Sequence, residues 1–483
     1  MGTPSAAESF RPFLRNSALL VGIEFASKVL GLAFFIVMAR YLGAGELGAY
    51  AFAMVLANFF AMAPRFGFEK MVQREIGRRG NLPRGYFLEL TAVKAVITVP
   101  AMGLLFLVLR FASPKLVEPG MVISCFVFGY AYLEFLNSVF RGLQRAEFEV
   151  VSRSVFSVLN LCISVAILLN GGRLMGVALA QAASVGVAIL TALILLKRFT
   201  VDSEPDYRPE RLFGHLRTAA PLGGVLVALY FSNQVGVLVL GAMAGETEAG
   251  YFAASMRVFD NLTLIAAALM GAFLPRASEL YQRSPREFTH ASRLFTGQVL
   301  MLAIPMGAGL AVLAEPIVLI LYGTGFAPSV TAMRVLGMTL VFSYWNYVAD
   351  SILIAADRER DLFRITCATA VVHVASNLAL VHLYSHLGAA LSVTVTQVFN
   401  SMLLGLSIRG TVGFKSLGML IWKPATSGLA MGVLLHVLRD RHVLMLIPLG
   451  AALYLVGLLL TGTLDVREWR SLGVSFFGKV FEK

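Results

Sequence analysis

"LGAGELGAYAF" (Leu42–Phe52) sits between two apolar stretches, each long enough to cross a bilayer. "MAGETEAGYFA" (Met243–Ala253) occupies the same kind of setting in the second half of the chain. Small residues, an acid, a Gly beside Ala and an aromatic recur in nearly the same order. A corner carried twice implies an internal repeat, and the match extends outward. "SKVLGL" (Ser27–Leu32) precedes the first copy, and "SNQVGV" (Ser232–Val237) precedes the second at nearly the same distance. "VLNLCISV" (Val158–Val165) pairs loosely with "ASNLALV" (Ala375–Val381), and "LMGVALAQAAS" with "HLGAALSVTVT".

The composition places these repeats in a membrane. The 483 residues are 58% hydrophobic and 14% charged, with a mean hydropathy of +0.77. Soluble domains average about 45–50% apolar and about 25% charged. A bilayer core needs about 20 apolar residues per helix. Runs of that length centre near Val29, Ala57, Thr98, Tyr130, Leu161 and Val185, then near Ala228, Leu262, Pro305, Leu340, Val372 and Gln397. Two more centre near Gly432 and Leu453. The expected fold class is therefore all-α: a polytopic membrane protein of about 14 transmembrane helices. Two six-helix lobes form parallel repeats, because six crossings return the chain to its starting side, and two extra helices follow. The expected boundaries are an N-terminal lobe at 1–200, a cytoplasmic linker at 201–217 and a C-terminal lobe at 218–410. Two further helices at 411–463 and a cytoplasmic tail at 464–483 complete the chain.

Basic residues alternate between loops. Lys70, Arg74, Arg78, Arg79 and Arg84 form one set, followed by Arg141, Arg145 and Arg153 and by clusters near 197–217, 276–293 and 358–364. "AGETE", "EPIVLILYGTGFAP" and "LYSHL" have no Lys or Arg. The positive-inside rule puts the basic set and both termini in the cytoplasm. The net charge of +12 follows this topology, so nucleic acid is not an expected partner. No loop has room for an extramembrane catalytic domain, and no cleavable signal peptide is visible. Cys125, Cys162 and Cys367 are scattered and imply neither disulfides nor a metal knuckle.

"VMARYLGAGELGAYAFAMV", "LVLGAMAGETEAGYFAASMRVFDN" and "LYGTGFAPSVTAMRVLGM" resemble the polysaccharide-transport (Wzx-type) flippases. Those belong to the multidrug/oligosaccharidyl-lipid/polysaccharide exporter superfamily. The resemblance covers almost the whole chain. It implies a multi-pass protein of the bacterial inner membrane that carries undecaprenyl-pyrophosphate-linked oligosaccharide to the outer leaflet by alternating access. Implied partners are the lipid-linked glycan, membrane lipids, a polysaccharide polymerase and other envelope assembly proteins, with the transporter itself a monomer. The expected cofactor set is empty, save for a coupling cation, Na+ or H+.

Charges within the spans are the candidate site, since each costs about 2.5–3.5 kcal/mol to insert at a helix centre. Glu24 and Lys28 lie one turn apart, in the favourable acid-before-base order. They are either a self-neutralised pair or a cavity pair in which Lys28 meets an anionic headgroup and Glu24 titrates. The resemblance puts Lys28 where related lipid II flippases tend to have a cavity arginine. Arg257 and Asp260 share a face of the eighth helix. The resemblance puts Arg257 toward the cleft, where a guanidinium fork suits phosphate oxygens; the other reading is an Arg–Asp pair that holds the helix. Arg334 either lines the outer cleft or snorkels to the interface. Asn233 and Gln234 stand where family members often have an acid, which leaves Glu24 and Asp260 as candidate coupling acids. The amides themselves either hydrogen-bond sugar hydroxyls or pack helices. Lys94 and Lys423 are expected to snorkel, Arg65 either to anchor the inner end of its helix or to form part of a cytoplasmic gate for pyrophosphate, and Glu134 and Asn137 to serve as interhelical hydrogen-bond glue.

Other motifs carry no chemistry. "GVSFFGKV" (Gly473–Val480) has Val480 where a P-loop needs Ser or Thr, and "NLT" at Asn261 lies within a span. His382 and His386 lack a third metal ligand, and His373 with Asn377 reads as a buried hydrogen-bonded pair. No catalytic residues and no metal site are expected. Two alternatives compete with the flippase. A cation-coupled multidrug antiporter wants unpaired acids, whereas Lys28, Arg257 and Arg334 lean positive. A membrane glycosyltransferase or polymerase wants a paired acidic motif and a large outer loop, and the chain has neither.

Overall fold

A computed structural model describes residues 6–65, 67–201, 234–412, 414–439 and 441–463. The protein is a polytopic all-α membrane protein. Its helices are α1 (Ala6–Arg65), α2 (Phe68–Arg79), α3 (Arg84–Ala112), α4 (Val117–Gly142), α5 (Ala146–Leu169) and α6 (Leu174–Leu196). There follow α7 (Gln234–Met243), α8 (Glu246–Arg283), α9 (Pro285–Val312), α10 (Ala314–Tyr322), α11 (Ser329–Ala355), α12 (Glu359–Ser407), α13 (Phe414–Val437) and α14 (Val443–Leu460).

Ten helices among the described residues are long and apolar enough to cross a membrane. Two of them are each two spans joined at a kink. α1 breaks at Gly43 (φ 73°, ψ 178°) and α12 at Ser385 (φ 49°, ψ −127°). α11 adds a further helix of 27 residues, and the short apolar α7 is the described end of the seventh run expected from the sequence. Side chains such as Phe111 and Leu460, each 84% exposed, face outward as lipid-facing residues do. The span expected near Ala228 lies outside the described residues.

Two helices were not expected. α2 carries the basic loop between the second and third spans, and α10 occupies "AEPIVLILY", read from sequence as part of a loop without Lys or Arg. Neither is long enough to span, which is why a search for apolar runs passes over both. A two-residue parallel pairing of β1 (Leu82–Pro83) with β2 (Thr200–Val201) ties the start of α3 to the end of α6.

Contacts divide the chain into two compact units, Met1–Ala253 and Ala254–Lys483. In the first, α4 packs on α1 and α6, and α5 on α1 and α6. In the second, α11 packs on α9 and α12, and α13 on α9 and α14. The corner that opened the sequence explains why α7 and the first two turns of α8 fall in the first unit. Gly48 and Gly250, equivalent residues of the two copies, are packed backbone against backbone. A Cβ at Gly48 would strike the Glu246 carbonyl and lie 2.7 Å from the Gly250 nitrogen. One at Gly250 would strike the Ala44 carbonyl. The corner's acid is also structural: Glu46 accepts from the Leu174 N–H at 2.9 Å and pairs with Arg173 at 2.6 Å, capping α6.

Candidate functional site

Within the second unit, α8 and α11 carry facing polar rows. Arg257, Asp260 and Thr263 follow one another at three-residue spacing on α8, so they share a face. Tyr347 and Asp350 do the same on α11. Hydrogen bonds fix the two helices together. Ser255 Oγ donates to the Ser329 carbonyl at 2.9 Å, and Tyr344 Oη donates to the Leu262 carbonyl at 2.7 Å. Tyr347 shares a side-chain hydrogen bond with Thr263, and both Asp260 and Asp350 act on it electrostatically. Tyr322, at the end of α10, donates to the Ala254 carbonyl at 3.1 Å. Arg257 is half-buried and acts electrostatically on Asp260 and Tyr322. The structure therefore groups Arg257 and Asp260 with a second acid, Asp350, that the sequence reading missed. Its signal was available: a lone carboxylate in the apolar run "NYVADSILI", subject to the same cost argument that singled out Asp260.

The same helix α8 borders an apolar cavity of about 710 Å³. Val258 and Leu262 line it from α8, Met301 and Pro305 from α9, Met431 from α13, and Tyr454 from α14. A polar row and an apolar cavity wall thus occupy adjoining faces of one helix.

The remaining candidates are described within their own units. Arg334 is exposed on α11, with its Nη2 3.5 Å from Glu315 Oε2 of α10. Lys28 is an exposed side chain of α1, and Gln234 is the half-buried first residue of α7. Glu24 falls within α1, but its side chain lies outside the described residues, as does Asn233.

Charges in the first unit form a separate hub. Glu149, 1% exposed, pairs with Arg141 at 2.7 Å and with Arg153 at 3.2 Å. Arg153 also reaches Glu134 at 2.9 Å, and Ser152 donates to Asn137 Oδ1 at 2.7 Å. Glu134 and Asn137 are therefore interhelical glue between α4 and α5. Lys94 does not snorkel. It is 4% exposed, donates to the Pro64 carbonyl at 2.7 Å and lies 4.8 Å from the Phe135 ring centre. A carbonyl freed by the end of α1 and an aromatic face replace water around the ammonium. Lys423 is half-buried and lies 5.9 Å from the Trp422 ring. Arg65 acts on Glu69 of α2.

His373 and Asn377 are hydrogen-bonded at 3.2 Å, and His373 Nδ1 is 2.7 Å from Thr396 Oγ1 across the kink of α12. His386 is engaged by the Pro328 carbonyl at 3.1 Å.

The fold and sequence have known counterparts. The structure is similar to the lipid II flippase MurJ in an inward closed conformation, with a TM-score of 0.71 at 15% identity over 91% of this chain and 98% of that one. It is also similar to an inward-facing multidrug resistance MATE family transporter of the MOP superfamily, with a TM-score of 0.61 at 18% identity over 83% and 96%. In sequence it is 22% identical to a protein of Haloferax volcanii that bears the name "Probable low-salt glycan biosynthesis flippase Agl15", over 89% of each chain. It is 21% identical to a protein of Shigella dysenteriae that bears the name "Putative O-antigen transporter", over 59% of this chain and 71% of that one. The sequence pattern of the polysaccharide biosynthesis proteins matches residues 13–281, more than half of the chain, and the protein belongs to that family.

Proposed function

We propose that this protein flips an undecaprenyl-pyrophosphate-linked oligosaccharide from the cytoplasmic to the outer leaflet of the bacterial inner membrane by alternating access. One observation carries the reading. α8 presents the Arg257 guanidinium on one face and walls an apolar cavity of about 710 Å³ with the next. Such a helix suits a molecule with an anionic head and a long hydrocarbon tail. The guanidinium offers a planar fork of donors to pyrophosphate oxygens and stays charged throughout the cycle. The cavity, almost wholly apolar, suits isoprenoid carbons. Both relatives named above bear names that belong to glycan export, which supports the same class of cargo.

In this reading Lys28 and Arg257 attract the pyrophosphate, while Gln234 and Asn233 meet sugar hydroxyls. Arg334 adds positive charge on the outer side. Asp260 and Asp350, with Glu24, couple transport to Na+ or H+, and no ATP is hydrolysed. Both termini lie in the cytoplasm, the chain works as a monomer, and a polymerase consumes its product. Cysteines at Thr247 and Arg78 should then label from opposite sides of the membrane.

The test uses the purified chain in vesicles loaded with lipid-linked oligosaccharide, scored by the glycan that reaches the opposite leaflet. Arg257→Ala should abolish movement with protein levels maintained, and Arg257→Lys should restore part of it. Full movement in an Arg257→Met, Asp260→Met double mutant would make the pair structural and sink the assignment. The acids of α8 and α11 favour a second reading, a cation-coupled drug antiporter. Extrusion of a cationic dye, unaffected by the lipid-linked glycan, would support it instead.

A further inference from the structure

Lys70, Arg74 and Arg78 are all exposed on α2. Spaced four apart, they form one row about 12 Å long at 1.5 Å per residue. Phe68, Val72 and Ile76 form a second row with the same spacing, and each is no more than 1% exposed. At about 100° per residue the two rows fall on nearly opposite sides of the helix. The apolar row is seated on α4. A Cβ at Gly142 would come within 3.0 Å of the Ile76 side chain and 3.1 Å of the Gln73 carbonyl. α2 is thereby held on the protein with its basic row turned outward.

Positive charge beside a span is ordinary, but neutralisation is common here. Arg276 and Arg283 share Glu279 at 2.6 and 2.8 Å, and Arg358 meets Asp361 at 2.6 Å. No ion pair engages Lys70, Arg74 or Arg78 among the described residues. Glu69 is half-buried and belongs to the hub of Lys94 and Arg65, and Glu75 is half-buried as well. α2 also follows one membrane-crossing helix after only two residues and precedes another, so the row lies where the chain leaves the hydrocarbon.

We propose that the outward row of α2 is a docking surface for the anionic phospholipid headgroups of the leaflet it borders. A helix that hides its apolar side in the protein and offers three unneutralised cations at headgroup level complements negative lipid charge. It does not insert into the bilayer as an amphipathic helix would. Each cation near an anionic surface favours binding by about fivefold, so three give roughly a hundredfold preference over zwitterionic headgroups at low salt. The preference weakens as salt is raised. It does not depend on any substrate, so it stands or falls separately from the flippase reading.

The experiment uses the full chain in nanodiscs of phosphatidylcholine with a graded fraction of phosphatidylglycerol. Cys125, Cys162 and Cys367 are replaced by Ser, and a nitroxide is placed by Gln73→Cys, an exposed position between the cations. The label should lose mobility as phosphatidylglycerol rises and regain it in high salt. In a Lys70→Gln, Arg74→Gln, Arg78→Gln variant it should respond to neither. Lipids released from washed protein should be enriched in phosphatidylglycerol, with that enrichment much reduced in the variant. A wild-type label indifferent to phosphatidylglycerol would overturn the proposal, as expected if the row instead meets a soluble acidic protein. So would a folded variant that responds as wild type does. The salt response of the wild type supplies a test even if the variant does not fold.

Discussion

Replacing Gly48 by Ala tests the repeated corner at its tightest point. The new methyl would strike the Glu246 carbonyl oxygen, with that carbonyl's carbon at 2.6 Å and the Gly250 nitrogen at 2.7 Å. All three atoms are backbone, so no rotamer change relieves the clash. The two segments must part by roughly an ångström or more, and overpacking of this kind costs about 1–3 kcal/mol. Small residues at such crossings are what allow membrane helices to approach closely. The assay is thermal unfolding of the purified protein in detergent. At about 2–4 °C per kcal/mol for a unit of this size, the midpoint should fall by several degrees. An internal control lies three residues away. A Cβ at Gly45 would meet only Thr247 Oγ1 at 3.6 Å, an ordinary contact, so Gly45→Ala should leave the midpoint within about 1 °C. Gly250→Ala should resemble Gly48→Ala, and the double variant should lose less than the sum, because the first methyl has already opened the crossing. A wild-type midpoint for Gly48→Ala, or equal damage from Gly45→Ala, would refute the close approach of the two corners.

Glu149 is buried between Arg141 and Arg153; Arg153→Ala should destabilise the protein, but by less than the about 3–5 kcal/mol of a wholly uncompensated buried charge, because Arg141 still pairs with it. Arg153→Gln with Glu149→Gln should recover much of that, as read by unfolding and expression level. The Arg334–Glu315 pair is exposed, with side chains 48% and 59% accessible, so Glu315→Gln should change stability by about 1 kcal/mol or less. If Arg334 serves transport, Arg334→Gln alone should slow export; equal export by both variants would make the pair a surface feature only. Asp350→Asn should remove the dependence of transport on a Na+ or proton gradient if this acid couples with Asp260. Unchanged gradient dependence would leave coupling to other groups.

The sequence by itself determined the class and the plan of this protein. Apolar runs long enough for a bilayer leave a chain few structures other than helices, because unpaired backbone groups cannot be left in hydrocarbon. Hydropathy marked the apolar runs, and the doubled corner pointed to a repeat. Arg257 and Asp260 stood out for the same reason, since a charge in an apolar run is costly and therefore informative. The tertiary structure decided what those residues meet. In the sequence Glu46 and Glu149 are both acids at the edge of an apolar run. One caps α6 while the other is locked between two arginines, and only the packing of distant helices distinguishes them. Lys94 looked like a snorkelling lysine until the fold put the Pro64 carbonyl and Phe135 around it. α2 and α10 escaped because an apolar-run search is blind to an amphipathic helix and to one of nine residues. The meeting of Gly48 with Gly250 is likewise a matter of tertiary structure. Sequence shows two glycines some two hundred residues apart, and only the folded chain brings their backbones close enough that neither can carry a side chain without the segments parting.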